Sequence, residues 1–268
     1  MKPFLKWPGG KYRVVDRIRA RLPEGARLIE PFVGSAAVLL NTDYPQALLS
    51  DINADLVTLY QIVQRDADEF IAASRPLFED LENDGTRYYA HRARFNASTD
   101  AWERAILFLY LNRHGYNGLC RYNARGEFNV PFGRYTRPYF PERELRDFHK
   151  RAQRATFCTA DFRLILDAAR PGDVVYCDPP YLPLSTTANF TDYAEGGFGP
   201  RDQLDLAQRA EALAARGVPV LISNHATPWA LELYHAADLE QFGVQRFISC
   251  DGNNRHVADE VLALFGAS

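Results

Sequence analysis

The sequence predicts an α/β protein whose sheet is interrupted by a helical insertion, and three observations support this fold class. Short apolar runs alternate with helical patterns near both ends of the 268-residue chain. Between about residues 54 and 147, apolar residues instead recur at helical spacing. Two of the predicted strands are each followed by a turn that contains glycine or proline. Strands that alternate with helices are typical of α/β folds.

The N-terminal part of the chain predicts the opening of a βαβ unit. Residues 27–30 predict a strand, residues 34–40 the helix after a tight turn, and residues 47–51 the next strand. Helical patterns follow at 56–64, 70–81 and 101–112. The segment after them is rich in glycine, asparagine and arginine, which favours an inserted second domain.

The alternation of strands and helices then resumes. Residues 173–177 and 218–223 predict strands on either side of a helix at 201–216. Residues 227–236 predict another helix, and 244–249 with 260–265 a closing hairpin. We therefore expect one domain from residues 1–53 and 148–268 and a second from residues 54–147.

The composition, 47% hydrophobic and 24% charged, allows a large buried core. No stretch reaches the roughly 18 apolar residues of a spanning helix, and the first residues lack the apolar run of a signal peptide. We therefore expect a soluble, cytoplasmic protein. The four cysteines are far apart in sequence, so the pattern predicts neither a disulfide framework nor a metal site. They are Cys120, Cys158, Cys177 and Cys250.

The charge is unevenly distributed along the chain. A net charge of -3 argues against a protein that coats nucleic acid. Seven arginines nevertheless lie between residues 112 and 146, interleaved with tyrosines and phenylalanines. This pattern fits a polyanion with exposed bases, and a solvated basic loop is the alternative. The arginines are Arg113, Arg121, Arg125, Arg134, Arg137, Arg143 and Arg146.

A predicted cofactor turn follows the first strand. It consists of Pro31, Phe32, Val33, Gly34 and Ser35, and Asp51 ends the next strand near the distance expected for a ribose-binding acid. The turn lacks the full Gly-x-Gly-x-x-Gly spacing that cradles a pyrophosphate, which favours S-adenosylmethionine over a dinucleotide. A purely structural turn remains the alternative.

A second glycine-containing segment, residues 6–11, lies near the N-terminus. It places Lys6, Trp7 and Lys11 around two glycines. We expect this segment to bind the amino-acid end of the cofactor or DNA, and an ordinary turn is the alternative reading.

Asp178, Pro179, Pro180 and Tyr181 close the predicted strand at 173–177. The N6 amine of adenine is a poor nucleophile because its lone pair is delocalised into the ring. If the Asp178 carboxylate and the Pro179 carbonyl accept the two amine hydrogens, the lone pair turns toward a methyl donor. The prolines stiffen the turn and remove amide donors, and Tyr181 can stack on the purine. An adenine paired in a duplex must first be flipped out. A proline-rich turn without catalytic function is the alternative.

With these motifs in order, the chain resembles the Dam-type DNA adenine methyltransferases almost from end to end. The matching segments are FLKWPGGK (4–11), EPFVGS (30–35), DIN (51–53), LNRHGYNGLCRYN (111–123), GEFNVPFGRY (126–135), DPPY (178–181), NFTDY (189–193) and VLISNH (220–225). The resemblance implies a Rossmann-like S-adenosylmethionine-dependent methyltransferase sheet with an inserted, mainly helical DNA-recognition domain.

The resemblance also implies roles for individual residues. Trp7, Lys11, Asp51 and Asp178 would contact the cofactor, with Asp161 and Phe162 near its adenine ring. Family members methylate GATC in double-stranded DNA, so Arg121 with Leu119 would read the outer G·C pair. The further DNA-binding candidates are Lys6, Arg113, Tyr116, Asn117, Asn123, Asn129, Arg134 and Tyr135, of which Tyr116 and Asn117 would act at the centre of the site.

One position departs from the family pattern. Ala36 stands where the cofactor turn usually has a second glycine, and the added methyl group predicts a weaker cofactor affinity at most.

Other functions also remain open at this point. A methyltransferase for protein glutamine or RNA, an adenine methyltransferase with another recognition sequence, and a non-catalytic DNA- or nucleotide-binding module are the alternatives. No membrane and no obligate protein partner is implied, and the motifs are compatible with a solitary, restriction-associated or phage-encoded enzyme.

Overall fold

A computed structural model describes residues 1–79, 84–181, 197–245 and 257–266. Within them, seven strands form a mixed sheet in the order β3-β2-β1-β4-β5-β7-β6. β1 pairs parallel to β4, β4 to β5, and β2 to β3, whereas β7 runs antiparallel to β5 and β6. The strands are β1 Arg27–Glu30, β2 Gln46–Asp51, β3 Ala155–Thr159, β4 Asp173–Cys177, β5 Val220–His225, β6 Asp238–Gln245 and β7 Val257–Phe265.

Helices separate the strands along the chain, so the predicted α/β fold class is confirmed. Helices α3 to α7 lie between β2 and β3 in sequence, in the region where helical patterns were found. The helices are α1 Val15–Arg21, α2 Ala37–Asn41, α3 Ala54–Arg65, α4 Ala67–Ser74, α5 Gly85–Ala97, α6 Ala101–His114, α7 Glu142–Ala152, α8 Phe162–Asp167, α9 Pro200–Ala215 and α10 Pro228–Leu233.

The chain packs as two compact units. Unit 1 contains residues 1–19 and 33–160, and unit 2 contains residues 20–32 and the described residues from 161 onward. In unit 1, α3 packs against α6 and α7 around an aromatic core, in which Tyr60 stacks on Phe148. The predicted domain boundaries at residues 54 and 147 remain a prediction.

The sheet strands of unit 2 place their carboxyl ends at one edge. Ile29 of β1 lies opposite Val175 of β4, and Cys177 of β4 lies opposite Ile222 of β5. β4 and β5 are buried along their whole length. Since parallel strands end on the same side of a sheet, the residues that follow β1 and β4 lie beside the last residues of β5.

Most predicted elements are confirmed, with shifted ends. The helix predicted at 70–81 is wrong at residues 75–79, because α4 ends at Ser74 and a 3₁₀ turn follows, in which Pro76 cannot continue the helical hydrogen bonds. Residues 80 and 81 lie outside the described residues. The first hairpin strand was predicted too late, since β6 begins at Asp238. Residues 246–249, the segment NFTDY at 189–193 and Cys250 lie outside the described residues.

Five elements were not predicted from the sequence: α1, α5, α7, β3 and α8. α7 is the clearest case, because its charged sequence hides a narrow apolar stripe of Leu145, Phe148 and Ala152.

The turn before α2 holds Ala36 in the left-handed backbone region, with φ 57° and ψ 29°. A residue with a side chain costs about 1 to 2 kcal/mol in this conformation, which explains why glycine suits the position. Ala36 is also fully buried, and its amide donates to the Val33 carbonyl at 2.8 Å. The departure at Ala36 therefore affects the backbone as well as the bulk of the turn.

We predict that Ala36→Gly leaves the free energy of unfolding nearly unchanged. Relief of the left-handed strain offsets the loss of a buried methyl group, about 0.8 kcal/mol, and the greater freedom of glycine in the unfolded chain. Ala37→Gly is the matched control, because Ala37 is also buried but is the first residue of α2. It should cost about 2 kcal/mol. Urea unfolding measures both, and equal losses would contradict the strain at Ala36.

Candidate active site

The predicted cofactor turn is tied to the end of β2 within unit 1. Gly34 donates its amide to Asp51 Oδ2 at 3.2 Å, and Val33 donates its amide to the Ser50 carbonyl at 2.8 Å. The Tyr60 hydroxyl donates to the Gly34 carbonyl. These bonds hold the turn against the strand end that carries the predicted ribose-binding acid.

Asp51 is surrounded by backbone donors. Its Oδ1 accepts the Asn53 amide at 3.0 Å. Burial raises the pKa of Asp51, and the amides of Asn53, Gly34 and Ile52 act in the opposite direction. The two carboxylate oxygens together have about four acceptor positions, so these three amides leave capacity for a ligand hydroxyl.

Trp7 packs directly on the cofactor turn. A side chain at Gly34 would place its Cβ 3.0 Å from Trp7 Nε1, so only glycine allows the indole to approach this closely. Gly10 donates its amide to the Trp7 carbonyl at 3.0 Å, and the buried Lys11 donates its ammonium to the Gly9 carbonyl at 2.7 Å. A Cβ at Gly10 would lie 3.4 Å from Ser35 Oγ. Unit 1 thus brings Trp7 and Ser35 together at the turn.

In unit 2, three aromatic rings form a cluster after β1. Phe32 stacks on Phe162 with centroids 5.5 Å apart, and Phe198 meets both rings edge-on at 5.4 and 5.5 Å. Phe198 was not predicted, because a single aromatic before a helix gives no signal that separates a ligand contact from the core. Asp161 begins α8, where its carboxylate accepts the Arg163 amide at 2.9 Å and pairs with the Arg163 guanidinium at 3.2 Å.

The Asp178-Pro179-Pro180-Tyr181 segment follows β4 and is held by residues of α9 and β5. Asp178 Oδ1 accepts the Ser223 hydroxyl at 2.9 Å. The Pro180 carbonyl accepts Gln203 Nε2 at 2.9 Å, and the Tyr181 ring meets His225 edge-on at 4.3 Å. Burial raises the pKa of the Tyr181 hydroxyl well above its usual range, and the Asp178 charge adds to this effect. Tyr181 is therefore protonated at neutral pH.

Gln203 belongs to a fully buried polar network. Its Oε1 accepts Asn224 Nδ2 and the Tyr234 hydroxyl, both at 3.1 Å. Sequence reasoning assigned no role to these residues. Their signal was weak: Ser223 and Asn224 end a strand that the α/β pattern places beside Asp178, whereas Gln203 is one polar residue within a helix.

The predicted recognition segment contains a tight turn at residues 116–118. Asn117 donates its amide to the Tyr135 hydroxyl at 2.9 Å, and Lys6 Nζ lies 3.9 Å from the centre of the Tyr135 ring. Lys6 also donates to the Arg113 carbonyl at 3.3 Å. Burial, followed by repulsion from Arg113, lowers the pKa of Lys6 to about 8. The N-terminal segment and this turn therefore form one cluster in unit 1.

Arg113 lies inside unit 1, with 6% of its surface exposed. Its guanidinium donates to the Tyr139 carbonyl at 3.0 Å and to the Phe4 carbonyl at 3.4 Å. Burial lowers the pKa of Arg113. These contacts stabilise the N-terminal segment, and a contact between Arg113 and DNA remains only a prediction.

Residues 121–129 form a short hairpin that carries Arg121. Asn129 donates its amide to the Arg121 carbonyl at 3.0 Å, and Tyr122 forms an isolated antiparallel β-bridge with Phe128. Arg121 Nε donates to Asn129 Oδ1 at 2.8 Å, which orients the exposed guanidinium. The Tyr122 hydroxyl donates to Asp55 Oδ2 at 2.7 Å and anchors the hairpin to α3. Asn123 Oδ1 accepts the Glu127 amide at 3.0 Å within the hairpin turn.

Exposed cations accumulate around this hairpin. Among the described residues, Arg121, Arg125, Arg134 and Arg137 are exposed and form no ion pair, whereas Arg146 of α7 pairs with Asp68 and Glu142. Tyr116, in the same segment of the sequence, is 49% exposed. Leu119 is partly buried. Exposed arginines without ion pairs and an exposed aromatic ring in one segment suit a polyanion with bases.

Comparison with known proteins shows the family of this chain. A family model described as D12 class N6 adenine-specific DNA methyltransferase matches residues 7–248. The chain belongs to this family. The DNA adenine methylase of Escherichia coli (strain K12) is 52% identical over 264 residues, covering 98% of this chain and 95% of that protein. The DNA adenine methylase of Serratia marcescens is 52% identical over 265 residues, covering 98% of each.

A solved structure also aligns with this methyltransferase. It is the precorrin 8W decarboxylase of Methanobacterium thermoautotrophicum, with a TM-score of 0.41, 10% identity and coverage of 97% of this chain and 93% of that one. The family, rather than this likeness, establishes the activity.

Family membership confirms the resemblance noted in the sequence. The protein is an S-adenosylmethionine-dependent methyltransferase that acts on N6 of adenine in DNA. Among the described residues, none of the helices has the length and apolar character that crossing a bilayer requires.

We predict that Gly118→Ala destabilises the methyltransferase more than Gly126→Ala. Both glycines have positive φ, 64° and 75°, but a Cβ at Gly118 would lie 2.2 Å from Lys6 Cβ, whereas a Cβ at Gly126 meets nothing within 4 Å. The two variants share the backbone strain, and only Gly118→Ala adds overpacking, which costs about 1 to 3 kcal/mol. Thermal or urea unfolding measures the difference. Equal losses would show that Lys6 moves away without cost.

Proposed function

We propose that the protein methylates an adenine flipped out of double-stranded DNA within GATC, and that residues 178–181 hold the flipped base. The observation that carries this proposal is the anchoring of the segment at both ends: Ser223 holds the Asp178 carboxylate and Gln203 holds the Pro180 carbonyl. An acceptor site of fixed geometry is what an amine with a delocalised lone pair requires.

The acceptors have separate tasks in this proposal. The Pro180 carbonyl is engaged by Gln203, so the Pro179 carbonyl is the one that acts on the base, together with Asp178. The two acceptors bind the two amine hydrogens and direct the nitrogen lone pair out of the ring plane. Tyr181 stacks on the purine from its position against His225. S-adenosylmethionine supplies the methyl group when it is bound.

The residues of each unit fit parts of this methyl donor. In unit 1, Asp51 accepts the ribose hydroxyls, while Trp7, Lys11, Gly34 and Ser35 border the amino-acid end. The buried carboxylate among backbone amides has the donor and acceptor pattern for a diol, and the turn needs no pyrophosphate cradle.

In unit 2, the aromatic cluster offers ring faces to the adenine of the donor. Pro31 and Phe32 follow β1, and Asp161 and Phe162 begin α8, so both pairs border the cluster. We assign Phe198 to the same role, because its ring contacts those of Phe32 and Phe162.

The DNA-binding proposal places Arg121 and Leu119 on the outer G·C pair and Tyr116 with Asn117 at the centre of the site. Residues 54–147 then form the target-recognition domain. Phosphate and remaining base contacts would come from Lys6, Asn123, Asn129, Arg134 and Tyr135. The contacts of Arg113 favour a supporting role behind Lys6. The proposal includes no obligate protein partner.

The first test measures tritium transfer from labelled S-adenosylmethionine to plasmids that differ only in their GATC sites. We expect transfer to the GATC plasmid alone, and Asp178→Ala should abolish it while DNA binding persists. Asp167→Ala is a matched control, because it removes a carboxylate of unit 2 that lies outside residues 178–181 and pairs with Arg209. Equal labelling of both plasmids would refute GATC, and unchanged turnover by Asp178→Ala would refute the acceptor mechanism.

The second test concerns Arg121, whose guanidinium is exposed and oriented by Asn129. Arg121→Ala should lower discrimination at the outer guanine by about 1 to 3 kcal/mol, because a bidentate contact to guanine is lost. Methylation rates on GATC and on sites altered at that guanine measure this change, with Arg137→Ala as the exposed control. Equal losses on all sequences would instead assign Arg121 to a phosphate.

A further inference from the structure

Ser223, in the second half of β5, lies at the centre of a small hydroxyl cluster in unit 2. Its Oγ is 2.9 Å from Asp178 Oδ1, 2.9 Å from the Tyr176 hydroxyl and 3.4 Å from the Cys177 carbonyl. Ser223 is 1% exposed and Tyr176 is buried beneath it. Solvent therefore has little access to the hydroxyl that supports the Asp178 carboxylate.

The directions of these hydrogen bonds follow from the number of protons. A serine hydroxyl donates one bond. The charged Asp178 oxygen is both closer and a stronger acceptor than the Cys177 carbonyl, so the Ser223 proton points to Asp178. Tyr176 must then donate to Ser223 Oγ.

Tyr176 is suited to this donor role. Burial raises the pKa of Tyr176 well above its usual range, and the charges of Asp178, Glu30 and Glu260 add to the effect. Its hydroxyl therefore keeps its proton at neutral pH. The result is a directed chain from Tyr176 through Ser223 to Asp178.

We propose that Ser223 is a positioning residue for methyl transfer, because its hydroxyl sets the rotation of the Asp178 carboxylate toward the adenine amine. An aspartate carboxylate turns easily about its last single bond, which has a broad energy profile. Productive acceptor geometry tolerates only about 10 to 20° of error. The inference rests on the proposed role of Asp178, and Tyr176 contributes by orienting the serine.

The test is the single-turnover methylation rate of Ser223→Ala with saturating S-adenosylmethionine and GATC DNA. We expect the rate to fall about ten- to hundred-fold, the size expected from one hydrogen bond to a charged group. The dissociation constants for S-adenosylmethionine and DNA should not change. Ser223→Thr keeps the hydroxyl and should restore most of the rate. A wild-type rate for Ser223→Ala would overturn the inference.

A double variant separates positioning from folding. Ser223→Ala leaves the buried Tyr176 hydroxyl without its acceptor, which destabilises the fold, whereas removing both hydroxyls avoids this cost. Ser223→Ala with Tyr176→Phe should therefore regain thermal stability but keep the low rate. Recovery of both stability and rate would show that Ser223 is only structural. Tyr176→Phe alone should lose less rate than Ser223→Ala, since Ser223 can still donate but is no longer oriented by Tyr176.

Asp178→Ala, measured in the same assay, distinguishes the proposed role of Asp178 from the positioning role of Ser223. A substantial rate for Asp178→Ala would overturn the proposed function of Asp178. A normal rate for Ser223→Ala beside an inactive Asp178→Ala would overturn only the positioning role of Ser223.

Discussion

The parallel register between β4 and β5 is the constraint on which the geometry of residues 178–181 depends. Cys177, the last residue of β4, lies opposite Ile222 of β5, and the next residues along the chain are Asp178 and Ser223. A shift of one residue would turn Ser223 to the other face of the sheet and remove its bond to Asp178. Both strands are buried along their length, and the apolar surface they cover holds the register in place.

Several polar groups around residues 178–181 belong to one buried hydrogen-bond network. Gln203 donates to the Pro180 carbonyl and in turn accepts from Asn224 and Tyr234. A buried polar network of this kind is rigid when its members are satisfied and costly when one is removed. The two prolines add stiffness without adding donors. Hydrogen bonds from Ser223 and Gln203 therefore fix the Asp178 carboxylate and the Pro180 carbonyl.

The proposed recognition surface, by contrast, consists of exposed side chains. Arg121, Arg134 and Tyr116 are exposed, and among the described residues these arginines have no acidic partner. The Tyr122 hydroxyl is anchored to Asp55. Trp7 packs on the turn at Gly34 and Lys6 on the turn at Gly118, so the N-terminal segment contacts two different turns in unit 1. Charges that carry no internal ion pair remain available for phosphates and bases, while the frame below them is closely packed.

The sequence by itself determined the α/β class, β1, β2, β4, β5 and most helices, because apolar periodicity and glycine or proline turns are local signals. It also located residues 178–181 and the turn around Gly34. Only the tertiary structure decided that Ser223 holds Asp178, 45 residues away, and that Arg113 bonds Phe4, 109 residues away. It also decided the left-handed backbone of Ala36. These features arise from packing between distant segments, which the spacing of residues along one chain does not encode.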